Sequence, residues 1–174
     1  AEGNHIAAAT FYSLGKALGH SRTKITQRAQ YGKLTDIKAL GGKVSGAGTL
    51  KIIADVTSNA GYIAASTNTV DKDKTLTFNG GTLGSAVSGA GKTVVNGDVT
   101  ANAKIGTTGG ITVNSGKTLT AAAGNIGTAV SNSGTVKVNG GTLSNKIAGG
   151  TLQVIADVTS NAGYIAGTTN TVDS

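Results

Sequence analysis

The chain has 174 residues, of which 28 are glycine, while proline, cysteine, methionine and tryptophan are absent. The absence of cysteine excludes a disulfide scaffold and a thiolate metal site. Charged residues make up 13% of the sequence, and aromatic residues make up 3%, which excludes a core of large aromatic rings. The net charge is +7. The sequence contains no apolar run of about 18 residues, the length that would predict a membrane helix.

The first part of the chain, residues 1–47, is predicted to form a basic segment separate from the rest. Phe11, Leu14 and Leu18 recur at helical spacing, and this predicts a short amphipathic helix over residues 5–18. An apolar helix face of this kind is suited to cover the open end of a stack of strands, which otherwise invites aggregation. We therefore expect these side chains to form a cap face, or the segment to serve as an assembly arm.

Most of the positive charge lies in this same segment. The cations between Arg22 and Lys43 are expected to belong to a solvated stretch. Their alternative role is to attract an anionic partner, such as a nucleic acid or a charged surface, through Arg22, Lys24 and Arg28. The scarcity of aromatic side chains argues against a platform on which bases stack.

Residues 48–174 are predicted to form one repeat domain, because a long segment occurs twice within them. Residues 48–71 (copy 1) and 150–173 (copy 2) lie 102 positions apart and are identical at 20 of 24 positions. After copy 1 the sequence runs on into another repeat, whereas copy 2 stops at the matching point. We expect either a longer repeat protein or an exposed end that meets another subunit.

A shorter repeat runs through this domain and alternates apolar with polar residues over four positions. Each unit continues with two further apolar points, separated by small polar residues, so it holds three short strands. The four-residue segments are 50–53, 76–79, 93–96, 111–114, 136–139 and 152–155. The apolar points after them are Val56, Leu83, Val99, Leu119, Leu143 and Val158, and then Ile63, Val87, Ile105, Ile126, Ile147 and Ile165.

These units predict an all-β fold, a right-handed parallel β-solenoid with six short coils and a short N-terminal helical cap. A strand of three or four residues cannot bury its apolar side alone, whereas stacked coils bury aliphatic side chains in a narrow column and pair every backbone edge. The alternative is an antiparallel β-sandwich or jelly-roll filament subunit, because the Asn-Gly pairs of the chain also suit two-residue hairpins.

Asparagine recurs at the end of four of the six segments. Stacked coils would place these side chains in one slot, where they form a structural corner ladder of amides. The ladder residues are Asn79, Asn96, Asn114 and Asn139. A wide gap between segments contains residues 66–74, which are predicted to project as a contact loop. Its candidate contact residues are Thr67, Asn68, Asp71, Lys72, Asp73 and Lys74.

Three patterns resemble catalytic or ligand-binding motifs, and each is better explained as structure. Residues 86–93 end in Gly-Lys-Thr like a phosphate-binding loop, but a strand and a turn are predicted after them instead of the required helix. Asp55, Asp98 and Asp157 recur at one repeat position, which favours capping of a corner over a paired-carboxylate site. The two aspartates of the contact loop supply too few oxygens for Ca²⁺. We expect no catalytic residue, no metal site and no cofactor.

Residues 133–144 read Ser-Gly-Thr-Val-Lys-Val-Asn-Gly-Gly-Thr-Leu-Ser. Together with its neighbours across residues 48–174, this stretch resembles the passenger repeats of bacterial type V autotransporters, in the style of rickettsial surface antigens and haemagglutinin-like adhesins. The resemblance implies a parallel β-helix that is extracellular or on a bacterial cell surface, used for adhesion or as a structural stalk. The basic segment 1–47 departs from that pattern.

We therefore expect a non-enzymatic extracellular protein, either a surface adhesin or a self-assembling filament subunit with a repetitive β-surface. Its partners would be further copies stacked end to end, or the surface of a host or neighbouring cell. The alternatives are a polysaccharide-processing β-helix enzyme, which needs carboxylates clustered in a groove, and a binder of anionic surfaces or nucleic acid, whose affinity falls with salt.

Overall fold

The structure, a computed structural model, describes residues 39–173. This range forms eighteen β-strands and three short 3₁₀-helices, and it contains no helix that is long and apolar enough to cross a membrane. The expected helical cap of residues 5–18 and the basic cluster of Arg22, Lys24 and Arg28 lie outside the described residues.

Three parallel sheets, A, B and C, form the sides of a solenoid, and a full turn of the chain visits them in the order A, C, B. Sheet A contains β1 (Ala39–Leu40), β3 (Val56–Ser58), β5 (Thr75–Phe78), β8 (Lys92–Val95), β11 (Ile111–Val113), β13 (Val130–Asn132), β15 (Ile147–Ala148) and β17 (Ile165–Ala166). Sheet B contains β2 (Val44–Ile52), β4 (Ile63–Val70), β7 (Val87–Gly89) and β10 (Ile105–Thr107). Sheet C contains β6 (Gly81–Leu83), β9 (Val99–Ala101), β12 (Thr118–Ala121), β14 (Thr135–Leu143), β16 (Thr151–Ser160) and β18 (Thr169–Val172). The 3₁₀-helices at the corners are η1 (Ala60–Tyr62), η2 (Ala123–Asn125) and η3 (Ala162–Tyr164).

The parallel β-solenoid predicted from the sequence is confirmed, and the antiparallel sandwich is wrong. Every registered pair of strands within residues 39–173 is parallel, as in the pairs β3–β5, β5–β8 and β8–β11. The eight strands of sheet A mark seven successive turns, one more than the six coils expected. Strands β1 and β2 pair with β3 and β4, so the solenoid includes residues 39–47, which the sequence boundary assigned to the N-terminal segment.

The core is a column of apolar side chains, nearly all aliphatic, that runs along the axis of the solenoid. Its largest fully buried members include Phe78, Ile63, Leu76, Leu83, Ile105, Ile111, Leu119, Ile126, Ile147 and Leu152. Burying one such side chain contributes roughly 1.5–3 kcal/mol. Since each turn adds its own aliphatic layer, stabilisation is distributed along the rod instead of concentrated in one centre.

The two copies of the long repeat lie on different faces. In copy 1, Leu50 pairs with Asn68 in sheet B, whereas in copy 2 the equivalent Leu152 pairs with Asn170 in sheet C. A separation of 102 residues therefore does not correspond to a whole number of turns. The same sequence folds equally on either face, because all three faces require the same alternation of inward apolar and outward polar residues.

Candidate functional site

The structure places three of the four ladder asparagines in one column. Asn79, Asn96 and Asn114 follow strands β5, β8 and β11 in successive turns, and Asn114 Nδ2 donates a hydrogen bond to Asn96 Oδ1 at 2.8 Å. The position expected for Asn139 is corrected, because it lies within β14 of sheet C, opposite Ala156. Segment similarity alone put it in the same slot, although its turn had advanced to another face.

The contact loop expected at residues 66–74 is smaller than predicted. Thr67 and Asn68 belong to strand β4, and Asn68 is buried, with Nδ2 donating to two backbone carbonyls at 3.0 Å each. These two residues are therefore corrected from loop to strand. The remaining four, Asp71–Lys74, form a turn in which the N–H of the last donates to the carbonyl of the first at 3.1 Å.

The recurring aspartates cap the backbone of the turn that follows them. Asp55 Oδ1 accepts a hydrogen bond from the N–H of Thr75 at 2.8 Å, and Asp98 Oδ1 accepts one from the N–H of Thr118 at 2.9 Å. Each bond spans 20 residues and so joins one turn to the next. Asp157 holds the equivalent position in copy 2, and no donor to it occurs among residues 39–173.

A shallow groove of about 300 Å³ lies on the outer face of sheet C. Its lining residues are Asp98, Val99, Thr100, Thr118, Thr120 and Lys137. They include one carboxylate, which already binds the backbone, whereas sugar hydrolysis by paired carboxylates needs two. In the described part of the chain, no three His, Cys, Asp or Glu side chains come together as metal ligands would. The groove is a hydroxyl-rich surface depression.

The most unusual surface lies on the last described turn of the solenoid, residues 157–173, which we call the terminal turn. Two of its inward-facing side chains are exposed, Ile165 to 38% and Val172 to 79%. The equivalent residues of copy 1, Ile63 and Val70, are 0% and 1% exposed. The same sequence is thus buried at one place in the molecule and open at another.

Residues 74–91 provide the cover for copy 1. Leu76 pairs with Val56, and Val87 pairs with Asn68. The covering chain also makes backbone hydrogen bonds to copy 1, including one of 2.9 Å between the N–H of Ala60 and the carbonyl of Gly80. In the described part of the chain, strand β18 is the last member of sheet C and has a partner on one side only.

The terminal turn keeps the local structure of copy 1 although it lacks this cover. Asn161 Oδ1 accepts a hydrogen bond from the N–H of Gly163 at 3.0 Å, as Asn59 does from Gly61 at 2.9 Å. Asn170 Nδ2 donates to the carbonyl three residues before it at 3.0 Å, as the equivalent side chain of copy 1 does. The open surface is therefore already shaped for another turn of chain.

A side-chain contact to an aspartate at the edge of each copy is kept although the donor residue differs between the two copies. Lys51 Nζ lies 3.1 Å from Asp71 Oδ2 in copy 1, and Gln153 Nε2 donates to Asp173 Oδ2 at 2.7 Å in copy 2. Both side chains of the ion pair are exposed, by 60% and 37%, so we expect the pair to add little stability. Either donor holds the same acidic corner in place.

Sequence reasoning found both copies of the repeat and the capping role that Asp55 and Asp98 have, but not the faces on which the copies lie or the extent of the open surface. Comparison of the chain with protein-family models, with curated proteins and with solved structures finds no match. The function is therefore argued from the geometry of the chain itself.

Proposed function

We propose that this protein is a non-enzymatic structural or adhesive rod that works outside the cell and lengthens by association of its ends. The observation that supports the proposal is the regular parallel stack of short strands, which presents the same outward face on successive turns. The passenger-like style of the repeats supports an extracellular or cell-surface location.

The physical drive for association is the burial of an apolar strand edge. A strand with one free side presents a row of backbone donors and acceptors and acts as a template for another strand. Full burial of an aliphatic side chain stabilises by roughly 1.5–3 kcal/mol, and Ile165 and Val172 lie on β17 and β18, the last described strands of sheets A and C. A contact between unlike ends that does not close into a ring generates an open filament.

The flanks of the rod support the adhesive part of the proposal. Outward-facing threonines occupy one column on four successive turns of sheet C and are in register with one another. The column consists of Thr118, Thr135, Thr151 and Thr169. Such a surface repeats its hydroxyl groups every 4.7–4.9 Å or so along the axis, and lengthening the rod multiplies the number of identical contacts available to a partner surface.

Electron microscopy and sedimentation velocity of the purified chain over a range of concentrations test this proposal. We expect particles whose length grows with concentration while their width stays constant. A population of uniform short rods, roughly 35 Å long from seven turns, at the highest attainable concentration would refute self-assembly.

A further inference from the structure

Three corners of the solenoid contain an asparagine followed by glycine, at residues 79–80, 96–97 and 139–140. All three asparagine side chains are exposed. In such a pair the backbone nitrogen of glycine is able to attack the side-chain carbonyl carbon of asparagine, since glycine has no side chain to obstruct the approach. Whether this reaction occurs at a given corner depends on how firmly the fold holds the peptide between the two residues.

The corner at Asn96 is the least restrained of the three. Asn96 and Gly97 lie between strands β8 and β9. Among residues 39–173, the N–H of Gly97 donates to no backbone acceptor, and the carbonyls of Asn96 and Gly97 accept from no backbone donor. The reason is the next corner, residues 114–117, which is one residue longer than residues 96–98. That corner closes on itself, with the N–H of Lys117 donating to the carbonyl of Asn114 at 3.1 Å.

The other two corners are held by their neighbours. The peptide after Asn79 is tied to both adjoining turns, because the carbonyl of Gly80 accepts from the N–H of Ala60 at 2.9 Å, and the N–H that follows donates to the carbonyl of Asp98 at 3.0 Å. Asn139 lies within strand β14, which is paired with β16 on both sides of it. Turning either peptide toward the asparagine side chain would break these contacts.

The amide ladder adds a second feature at Asn96. Asn114 Nδ2 donates to Asn96 Oδ1 at 2.8 Å, and within residues 39–173 this is the one side-chain hydrogen bond between ladder residues. Oδ1 is the oxygen that becomes negatively charged when a nitrogen attacks the side-chain carbonyl carbon. A donor already aimed at this oxygen stabilises the developing charge.

We propose that Asn96 is a self-modification site, which converts to aspartate and isoaspartate through a succinimide, with Asn114 as the donor to the oxyanion. The nitrogen of Gly97 loses its proton to solvent and bonds to Cγ of Asn96, and the bond from Cγ to Nδ2 breaks as this nitrogen takes up a proton and leaves as ammonia. Water then adds to one of the two ring carbonyl carbons, and the ring opens to one product or the other. The inference does not depend on the proposed function.

The two products affect the corner differently. Aspartate at position 96 still accepts from Asn114 Nδ2, and the negative charge strengthens that hydrogen bond. Isoaspartate adds an atom to the backbone just before Gly97, where there is little room, because a Cβ built at Gly97 would overlap the backbone of Asn79. We therefore expect the aspartate form to keep the corner and the isoaspartate form to displace it.

Incubation of the purified chain at mildly alkaline pH, followed by peptide mapping, tests the proposal. Electron-transfer fragmentation distinguishes aspartate from isoaspartate in the mapped peptides. In the folded protein we expect Asn96 to convert about threefold faster, or more, than Asn79 and Asn139. Both products should form, and the rate should rise with pH because the attacking nitrogen must lose its proton. Conversion of Asn79 or Asn139 at the rate of Asn96 would overturn the assignment.

The variant Asn114→Asp tests the oxyanion donor, with Ser115→Ala as its matched control in the same corner. Aspartate has nearly the shape of asparagine but has no N–H to donate. We expect Asn114→Asp to slow the conversion of Asn96 by about threefold to tenfold and to leave Asn79 unchanged, whereas Ser115→Ala should change neither rate. Unchanged or faster conversion of Asn96 in Asn114→Asp would overturn the role of the donor.

The same incubation in concentrated guanidinium separates the effect of the fold from that of the local sequence. In the unfolded chain all three asparagines keep the following glycine, so we expect them to convert at similar rates and Asn114→Asp to have no effect. A preference for Asn96 that persists in the unfolded chain would show that the fold does not set the rate, and would overturn the inference.

Discussion

The duplicated segment allows one substitution to be made twice in the same molecule, at a buried and at an exposed position. Val70 and Val172 are equivalent residues of the two copies, 1% and 79% exposed. We expect Val70→Ala to lower the free energy of unfolding and Val172→Ala to leave it nearly unchanged. The comparison cancels the intrinsic difference between valine and alanine in a strand, because the flanking sequence Thr-Asn-Thr-Val-Asp is the same.

The magnitude follows from the buried groups that each substitution removes. Valine exceeds alanine by two carbon atoms, and each buried methylene contributes about 0.8 kcal/mol, which gives about 1.6 kcal/mol for transfer at Val70. The cavity left under residues 87–91 adds to this loss, so we expect about 2–3 kcal/mol in total. At Val172 roughly a fifth of the side chain is buried, and the expected loss is about 0.3 kcal/mol.

Urea unfolding followed by circular dichroism measures both losses, with the protein diluted below the concentration at which it associates. The dependence of the unfolding free energy on urea should stay constant across the three proteins. Losses at the two positions that agree within about 0.5 kcal/mol would refute the reasoning, because the terminal turn would then be covered. In concentrated, assembled protein the loss at Val172 should approach that at Val70.

Three further changes test the internal contacts. Gly91→Ala should lower the free energy of unfolding by about 1–3 kcal/mol in urea titrations, because its methyl group would overlap backbone of copy 1; an unchanged midpoint would contradict the close approach. A double-mutant cycle with Asn96→Ala and Asn114→Ala should give a coupling of about 0.5–1.5 kcal/mol for their 2.8 Å hydrogen bond, and no coupling would show that the ladder adds no stability. Asp55→Ala should cost about 1 kcal/mol by loss of its backbone hydrogen bond, whereas Asp157→Ala should be neutral in thermal melts of dilute protein; equal losses would contradict the cap.

The parallel stack was predictable because its cause is local and repeated. Short apolar stretches such as residues 111–114 bury one side only if another coil covers it, and glycine and asparagine mark the corners between them. The apolar points expected from this pattern that precede the terminal turn, including Leu83, Ile105 and Leu119, are buried. The number of turns is less predictable from this pattern, because the six segments miss the turn that begins with residues 39–47.

The face on which each segment lies depends on the summed length of all preceding turns. Residues 50–53, 93–96 and 136–139 look alike in sequence, yet they lie on or beside strands of sheets B, A and C, respectively. A pattern that every face accepts carries no information about which face it occupies. This is why the pattern predicts the wrong column for Asn139.

The covered and open states of the repeat are likewise a property of position in the solenoid. Copy 1 and copy 2 differ at four positions, and these differences do not explain why Ile63 is buried and Ile165 is 38% exposed. The cause is the presence of residues 74–91 over one copy.

Hydrogen exchange of the two copies, measured by mass spectrometry at low and high protein concentration, tests the central claim most directly. Peptides spanning residues 65–71 and 167–173 are isomers of equal mass, but their fragment ions differ because Ser66 corresponds to Thr168, so both are followed in one sample by fragmentation. We predict that in dilute protein the amides of 65–71 are protected while those of 167–173 exchange rapidly, and that 167–173 becomes protected as the concentration rises. Equal protection of the two segments in dilute protein, or rapid exchange of 167–173 at every concentration, would contradict the account.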